Sequence, residues 1–285
     1  MKKTLFNASL EESMNLVTDK YIQTSMEDIN EKGYWRKIIG SFTMILFILM
    51  FHVVAVVLEE SHADTVVMKQ SNLTPIWIVL SLGIVINYFR NIAKVKNDRI
   101  LSYYYYNNSM AALVGVYLLQ AIIMFIVLSV SVTDNFLPLI LYSILFLAII
   151  ISRVISISKE IKRILYQSEK NNNRVARFLE QFVVFSRKYG WLVVLILYFL
   201  RNYFKYTPSE TATAGEFDTL QIIGGWLCPL MMILPLYFMF ALVEDNFQGY
   251  YLKKYLEDYR QLTDYSIEEW YGKKSKMYKE SLKNK

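Results

Sequence analysis

Apolar residues in this 285-residue chain are gathered into blocks, separated by segments dense in Lys, Arg, Asp and Glu. The first block, 38–58, reads IIGSFTMILFILMFHVVAVVL. A helix needs about 20 such residues to cross about 30 Å of hydrocarbon, so this block spans unaided. The second, 74–89, is shorter and carries Pro75 in its first turn, where a missing N–H costs little. The third, 110–132, is long and clean, and the fourth, 136–152, again has an early proline, Pro138. Only Thr133, Asp134 and Asn135 separate these two, which predicts a tight helical hairpin. The fifth, 190–200, is short and crosses only if Tyr189 and residues 201–204 supply its ends, with Arg201 snorkelling to the surface. The sixth, 220–243, is long enough but interrupted by Gly224, Gly225, Pro229 and Pro235. The pattern predicts an all-α polytopic membrane protein of about six transmembrane helices, with a membrane domain over 38–243.

The polar segments have a pattern of their own. In 1–37, Ser9 and Glu12 have capping-box spacing, and Leu10, Met14, Val17 and Tyr21 fall on one stripe of a helix. In 153–189, Ile157, Ile161, Ile164 and Leu165 form one stripe. Val175, Phe178, Leu179, Phe182 and Val183 form a second, beyond the asparagines 171–173. In the tail, 244–285, Tyr251, Tyr255, Tyr259 and Leu262 share a face, and Ser266 with Glu269 repeats the capping box. Such faces either lie on a bilayer or pack together into a helical layer; mutual packing is the reading preferred.

Charge sets the orientation. Of 31 lysines and arginines, 28 fall in 1–37, 90–109, 153–189 and 244–285, leaving Lys69, Arg201 and Lys205 for the other side. The positive-inside rule puts both termini in the cytoplasm of a cell membrane and favours an even number of crossings. The polar start of the chain argues against a cleaved leader. The inner excess of positive charge suits anionic lipid. The mixed charge of the tail argues against nucleic acid, which calls for a one-sided basic patch. Hydrophobic residues make up 54% of the chain, and the one cysteine, Cys228, leaves no intramolecular disulfide.

Against that layout the run SYYYYNNS at 102–109 sits at the inner end of the third block. Tyrosine favours the membrane–water boundary, and four consecutive residues ring a helix at about 100° per step. Tyr103, Tyr104, Tyr105 and Tyr106 are therefore expected as interfacial anchors, with Asn107 and Asn108 forming a cap or turn beside them. Trp35, Trp191, Tyr250 and Tyr251 bracket other blocks in the same way.

Candidate chemistry is sparse. No zinc-helix, C-x-x-C, dinucleotide, Walker or G-x-S-x-G motif occurs. Glu59, Glu60, His62 and Asp64 hold metal-competent groups at no recognised spacing, so no metal or cofactor is assigned and no enzyme activity is expected. Within the blocks, His52 and Gln120 fall at similar depth near mid-span, a possible polar pair. Gly224, Gly225, Pro229 and Pro235 make a possible hinge. The tail stretch SIEEWYG at 266–272, with its flanks, resembles the ends of multi-span proteins of Gram-positive bacteria encoded beside type VII secretion and toxin–immunity genes. That resemblance implies an accessory or immunity role. The expected function is non-enzymatic binding of a membrane or cytoplasmic protein partner. The alternative is a small transporter or channel subunit that uses the broken sixth block.

Overall fold

The computed structural model describes residues 3–31, 33–61, 70–95, 99–167, 219–263, 265–273 and 276–283. Packing joins Met1–Ser168 with Ile223–Lys285 in one unit and sets Glu169–Ile222 apart as another. The described elements are all helical: α1 Leu10–Met14, α2 Asp19–Glu31, α3 Gly33–Ser61, α4 Thr74–Val95, α5 Arg99–Thr133 and α6 Leu137–Tyr166. They continue with α7 Thr219–Leu227, a 3-10 segment Cys228–Met232, α8 Ile233–Lys254, α9 Leu256–Leu262, α10 Ile267–Tyr271 and α11 Lys276–Lys283.

Among the described residues, five stretches are long and apolar enough to cross a membrane: Lys37–Val57, Ser71–Ala93, Ile100–Thr133, Leu137–Tyr166 and Ile222–Lys254. This fits a membrane protein. The fifth block, with Trp191, lies outside the described residues, as do His62 and Asp64. Trp35 falls within α3, but its side chain is outside the description.

The long helix α5 is the centre of the unit. It packs against α2, α3, α4, α6, α8 and α10, and 44% of its most apolar window is buried against 17% to 22% in the other four. Contacts fix the directions. Lys37 at the start of α3 bonds Ser102 early in α5, and Ile48 meets Gln120 further along, so α3 and α5 run parallel. Tyr88 late in α4 meets Tyr106 early in α5, which makes α4 antiparallel. Outward faces are strongly apolar, with Phe42 61% and Val79 67% exposed, while Ser41, Ser81, Ser129 and Gln120 lie buried between helices.

Two helices run further than the apolar blocks predict. Hydropathy ends block four near residue 152, yet α6 continues through Ile157, Ile161 and Leu165, all buried. Likewise α5 begins at Arg99, so Asn107 and Asn108 sit inside a helix and form neither cap nor turn. Their neighbours supply the reason: the adjoining tyrosines pack against α2, α3, α4 and α8 and hold the turn helical. The N-terminal stripe is divided. Asn15 caps the end of α1, Thr18 Oγ1 accepts from the Tyr21 N–H at 3.2 Å to begin α2, and Met14 turns outward. The tail stripe is broken too, because the chain kinks at Tyr255 and leaves Leu262 exposed.

Candidate functional site at the end where both termini meet

The N-terminal segments, the start of α5, the end of α6 and the described residues from the end of α8 onward pack into one layer. Both capping boxes form: the Ser9 side chain accepts from the Glu12 N–H, and Ser266 does the same for Glu269. Capping satisfies N–H groups that short helices cannot satisfy themselves, typically worth about 1 kcal/mol each. The core holds Ala8, Val17, Ile22, Ile100, Ile161, Leu165, Tyr251, Leu252, Tyr259, Trp270 and Tyr271. For the described amphipathic faces, packing against one another is the arrangement seen; the stripe from Val175 to Val183 lies outside the described residues.

Hydroxyl and amide tips then stitch this core to backbone. Ser13 Oγ donates to the Leu10 carbonyl at 2.7 Å, which leaves Tyr259 to donate its own hydroxyl to Ser13 at 2.7 Å. Asn15 Nδ2 donates to the carbonyl of Leu165 at 3.1 Å, one of the groups a helix C-terminus leaves unpaired. In the tail, Arg260 Nη2 and the Tyr271 hydroxyl each donate to Glu257 at 2.6 Å. The Arg260 hydrogen bonds hold the Glu257 carboxyl below its ordinary range, opposed by burial and aided by Tyr271. Burial pushes the Tyr259 hydroxyl up.

The four tyrosines work as spokes from α5 into this layer. Tyr103 meets Tyr21 of α2 edge-on, with centroids 5.6 Å apart. Tyr104 lies over Gly249 of α8, where a Cβ would collide with both Tyr104 and Tyr21. Tyr105 receives Lys253 at 5.0 Å, and Tyr106 receives Lys37 at 5.5 Å while meeting Tyr88. Contacts of these kinds are worth about 0.5–2 kcal/mol apiece. All four rings are partly buried against neighbouring helices, so their packing role adds to any part they play at an interface. Tyr251 departs from the anchor expectation. It is fully buried and its hydroxyl donates to the Leu5 carbonyl at 2.6 Å, so it holds the N-terminal segment. Tyr250 packs edge-on against Phe6 at 5.2 Å.

His52 and Gln120 do not pair. His52 Nδ1 bonds Thr74 Oγ1 at 2.8 Å, and Gln120 Nε2 donates to the Ile48 carbonyl at 3.3 Å. Ile48 lies one turn before His52 on the same face of α3, so Gln120 reaches α3 a turn short of the histidine. The histidine's partner is the first residue of α4. Gln120 Oε1 is buried with no hydrogen-bond partner among the described residues.

The break in block six is present as the 3-10 segment Cys228–Met232. Pro229 lacks the N–H that would reach the Gly225 carbonyl; Cys228 Sγ donates there instead at 3.3 Å. The Tyr142 hydroxyl of α6 takes the Trp226 carbonyl. Gly225 lies against Val132, where a Cβ would come within 2.7 Å of its Cγ1, whereas nothing lies within 4 Å of a Cβ on Gly224. Gly225 and Pro229 therefore belong to a packed kink whose freed carbonyls have donors, and Pro235 sits in the first turn of α8. Among the described residues no cluster of three metal-competent side chains occurs. The layer is the best-defined candidate site, and what it offers is shape and backbone-directed donors. Compared with known proteins, the chain matches no family model, no curated protein and no solved structure.

Proposed function

We propose that this is a non-enzymatic multi-pass membrane protein that acts by binding another protein through the layer where its termini meet. On this reading the layer faces the cytoplasm, as the distribution of basic residues asks, and the role is of accessory or immunity type at the cell membrane. The observation that carries the reading is the layer itself: a folded body continuous with α5, α6 and α8, so that a partner seated on it is coupled to the membrane helices. A chain built only to anchor or conduct has no need of it. Six crossings, one more than the five described apolar stretches, belong to the same reading. α6 ends in the layer beside Asn15, whereas Gly225 packs at the opposite end of α5 beside Val132. Block 190–200 is the apolar stretch the sequence offers for a sixth crossing.

The test is cross-linking and capture from native membranes, comparing the wild-type chain with one carrying Leu262→Asp and Leu282→Asp, two exposed positions of the layer. A defined protein held by the wild type and lost from the variant supports the reading. Solute flux through vesicles containing only the purified chain would overturn it in favour of a transporter or channel.

A further inference from the structure

Residues 4–8 enter the layer without regular secondary structure, and their backbone is gripped entirely by side chains. Tyr166 donates to the Thr4 carbonyl at 2.8 Å and Tyr251 to the Leu5 carbonyl at 2.6 Å. Lys254 Nζ donates to the carbonyls of Phe6 at 2.9 Å and Ala8 at 3.2 Å. Tyr255 adds a second bond to Ala8 at 2.7 Å, and the Ala8 N–H donates to Tyr251 at 3.4 Å. The donors come from the ends of α6 and α8, and every group they read is main chain.

Backbone recognition of this kind makes few demands on sequence, the principle by which domains bind extended peptides of varied composition. Three side-chain requirements remain, the first an apolar residue at the position of Leu5, which packs against the core. Ala8 is fully buried, so its slot admits only a small residue. Phe6 rests on a shelf made by Phe247 at 5.9 Å and Tyr250 at 5.2 Å, yet is half exposed. An apolar residue and an aromatic residue in a turn, then one free position and a small residue, satisfy the whole site.

We infer that Tyr166, Tyr251, Lys254 and Tyr255 form a peptide-binding groove occupied in cis by residues 4–8, and that a non-helical segment of the partner protein, apolar–aromatic–any–small, takes the groove by displacing them. The inference rests on the protein-binding reading and names where and how the partner engages. The chain's own arm is a tethered competitor at high effective concentration, so a partner must outcompete it, which sets a threshold on binding.

The probe is a labelled peptide, KTLFNASL, added to the full-length chain in lipid nanodiscs and followed by fluorescence anisotropy. Ala8→Trp in the full-length chain overfills the slot and dislodges the arm. That variant is expected to bind the peptide about tenfold or more tighter than the wild type, which is the competitor's share of the site. The gain disappears when Tyr251→Phe and Lys254→Ala are added, or when the peptide carries the same alanine-to-tryptophan change. An Ala8→Trp chain with unchanged helical circular dichroism and no gain overturns the groove. In the unaltered chain, saturating peptide speeds hydrogen exchange at the Ala8 amide; an unchanged rate also overturns it. Failure of the broader reading shows elsewhere, as loss of nothing from the Leu262→Asp, Leu282→Asp chain in partner capture.

Discussion

The terminal layer and the apolar bundle are built in opposite senses on the same helices. In the layer, Trp270, Tyr251, Ile161 and Leu165 point inward and carry no exposed surface. A few turns along, Phe42 and Val79 point outward while Ser81, Ser129 and Gln120 are enclosed. One region sorts its side chains against water; the other sorts them for a surrounding that is itself apolar. In hydrocarbon there is no hydrophobic gain from burying a large side chain, so helix contacts rely on small residues and interhelical hydrogen bonds. Gly40, where a Cβ would come 2.6 Å from Tyr106 Oη, and Gly225 against Val132 are such contacts. On the proposed membrane reading, the boundary between two solvents falls near the level of the tyrosine run.

The sharpest way to break that comparison is to truncate one large side chain in each region. Trp270→Ala empties a fully enclosed site and is expected to cost about 3–5 kcal/mol, seen as a large drop in thermal unfolding temperature of the protein in detergent. Phe42→Ala removes an outward ring, 61% exposed, and should change stability by less than about 0.5 kcal/mol. Equal losses at the two sites would abolish the distinction.

Glycines give the next largest effect. A side chain at Gly249 collides with the Tyr104 ring and the Tyr21 hydroxyl, and neither ring can retreat without losing its own partner. Gly249→Leu is expected to cost about 1–3 kcal/mol, as overfilled sites do. Gly224→Leu meets nothing within 4 Å and, inside a helix, is expected to be neutral or to gain up to about 1 kcal/mol. Folded yield after detergent extraction ranks the two; a tolerant Gly249 would mean that the spokes do not bind α8 to α5.

At the kink, Tyr142→Phe withdraws the donor from the Trp226 carbonyl and is expected to cost about 1–3 kcal/mol. Pro229→Ala restores a backbone N–H and lets the helix regularise, so it should relieve part of that loss when the two are combined. A double-mutant cycle reads the coupling directly. Strict additivity would show that the carbonyl is satisfied without Tyr142.

How much of this was legible in the sequence follows from which forces are local. Hydropathy located the apolar stretches now described, and side-chain spacing located both capping boxes, because each depends on residues a few positions apart. The break at Cys228–Met232 was legible for the same reason: proline removes a donor wherever it stands. The burial of Ile157, Ile161 and Leu165 was readable as a stripe, but its continuity with α6 was not, because hydropathy falls after residue 152 although the helix has no stop there. What escaped was long-range. Nothing near Tyr251 announces that its hydroxyl reaches Leu5, and the bond from Gln120 to Ile48 depends on how α3 and α5 are staggered. The arm at residues 4–8 was unreadable because side chains hold its backbone, and backbone leaves no sequence trace.

The smallest expected effect concerns charge in the layer, where water still reaches. Arg260 and Tyr271 stabilise the charged form of Glu257, so its carboxyl titrates lower in the folded chain than the roughly 4.3 of an unperturbed glutamate. A depressed value means that the contribution is complete above the unfolded-state pKa and is lost as pH falls through the folded one. Between pH 7 and 5 it is constant; the loss begins near pH 4 and continues downward. Because the Glu257 side chain is 37% exposed, screening limits the pair to about 0.5 kcal/mol. Glu257→Gln keeps the shape and removes the titration, so its unfolding midpoint should fall less steeply than that of the wild type over the acid range. A wild-type profile that parallels the variant would show that the Arg260 contact contributes geometry to the tail and no net charge stabilisation. The tyrosine bond from Tyr271 would then be the only part of the cluster that fixes α9 against α10.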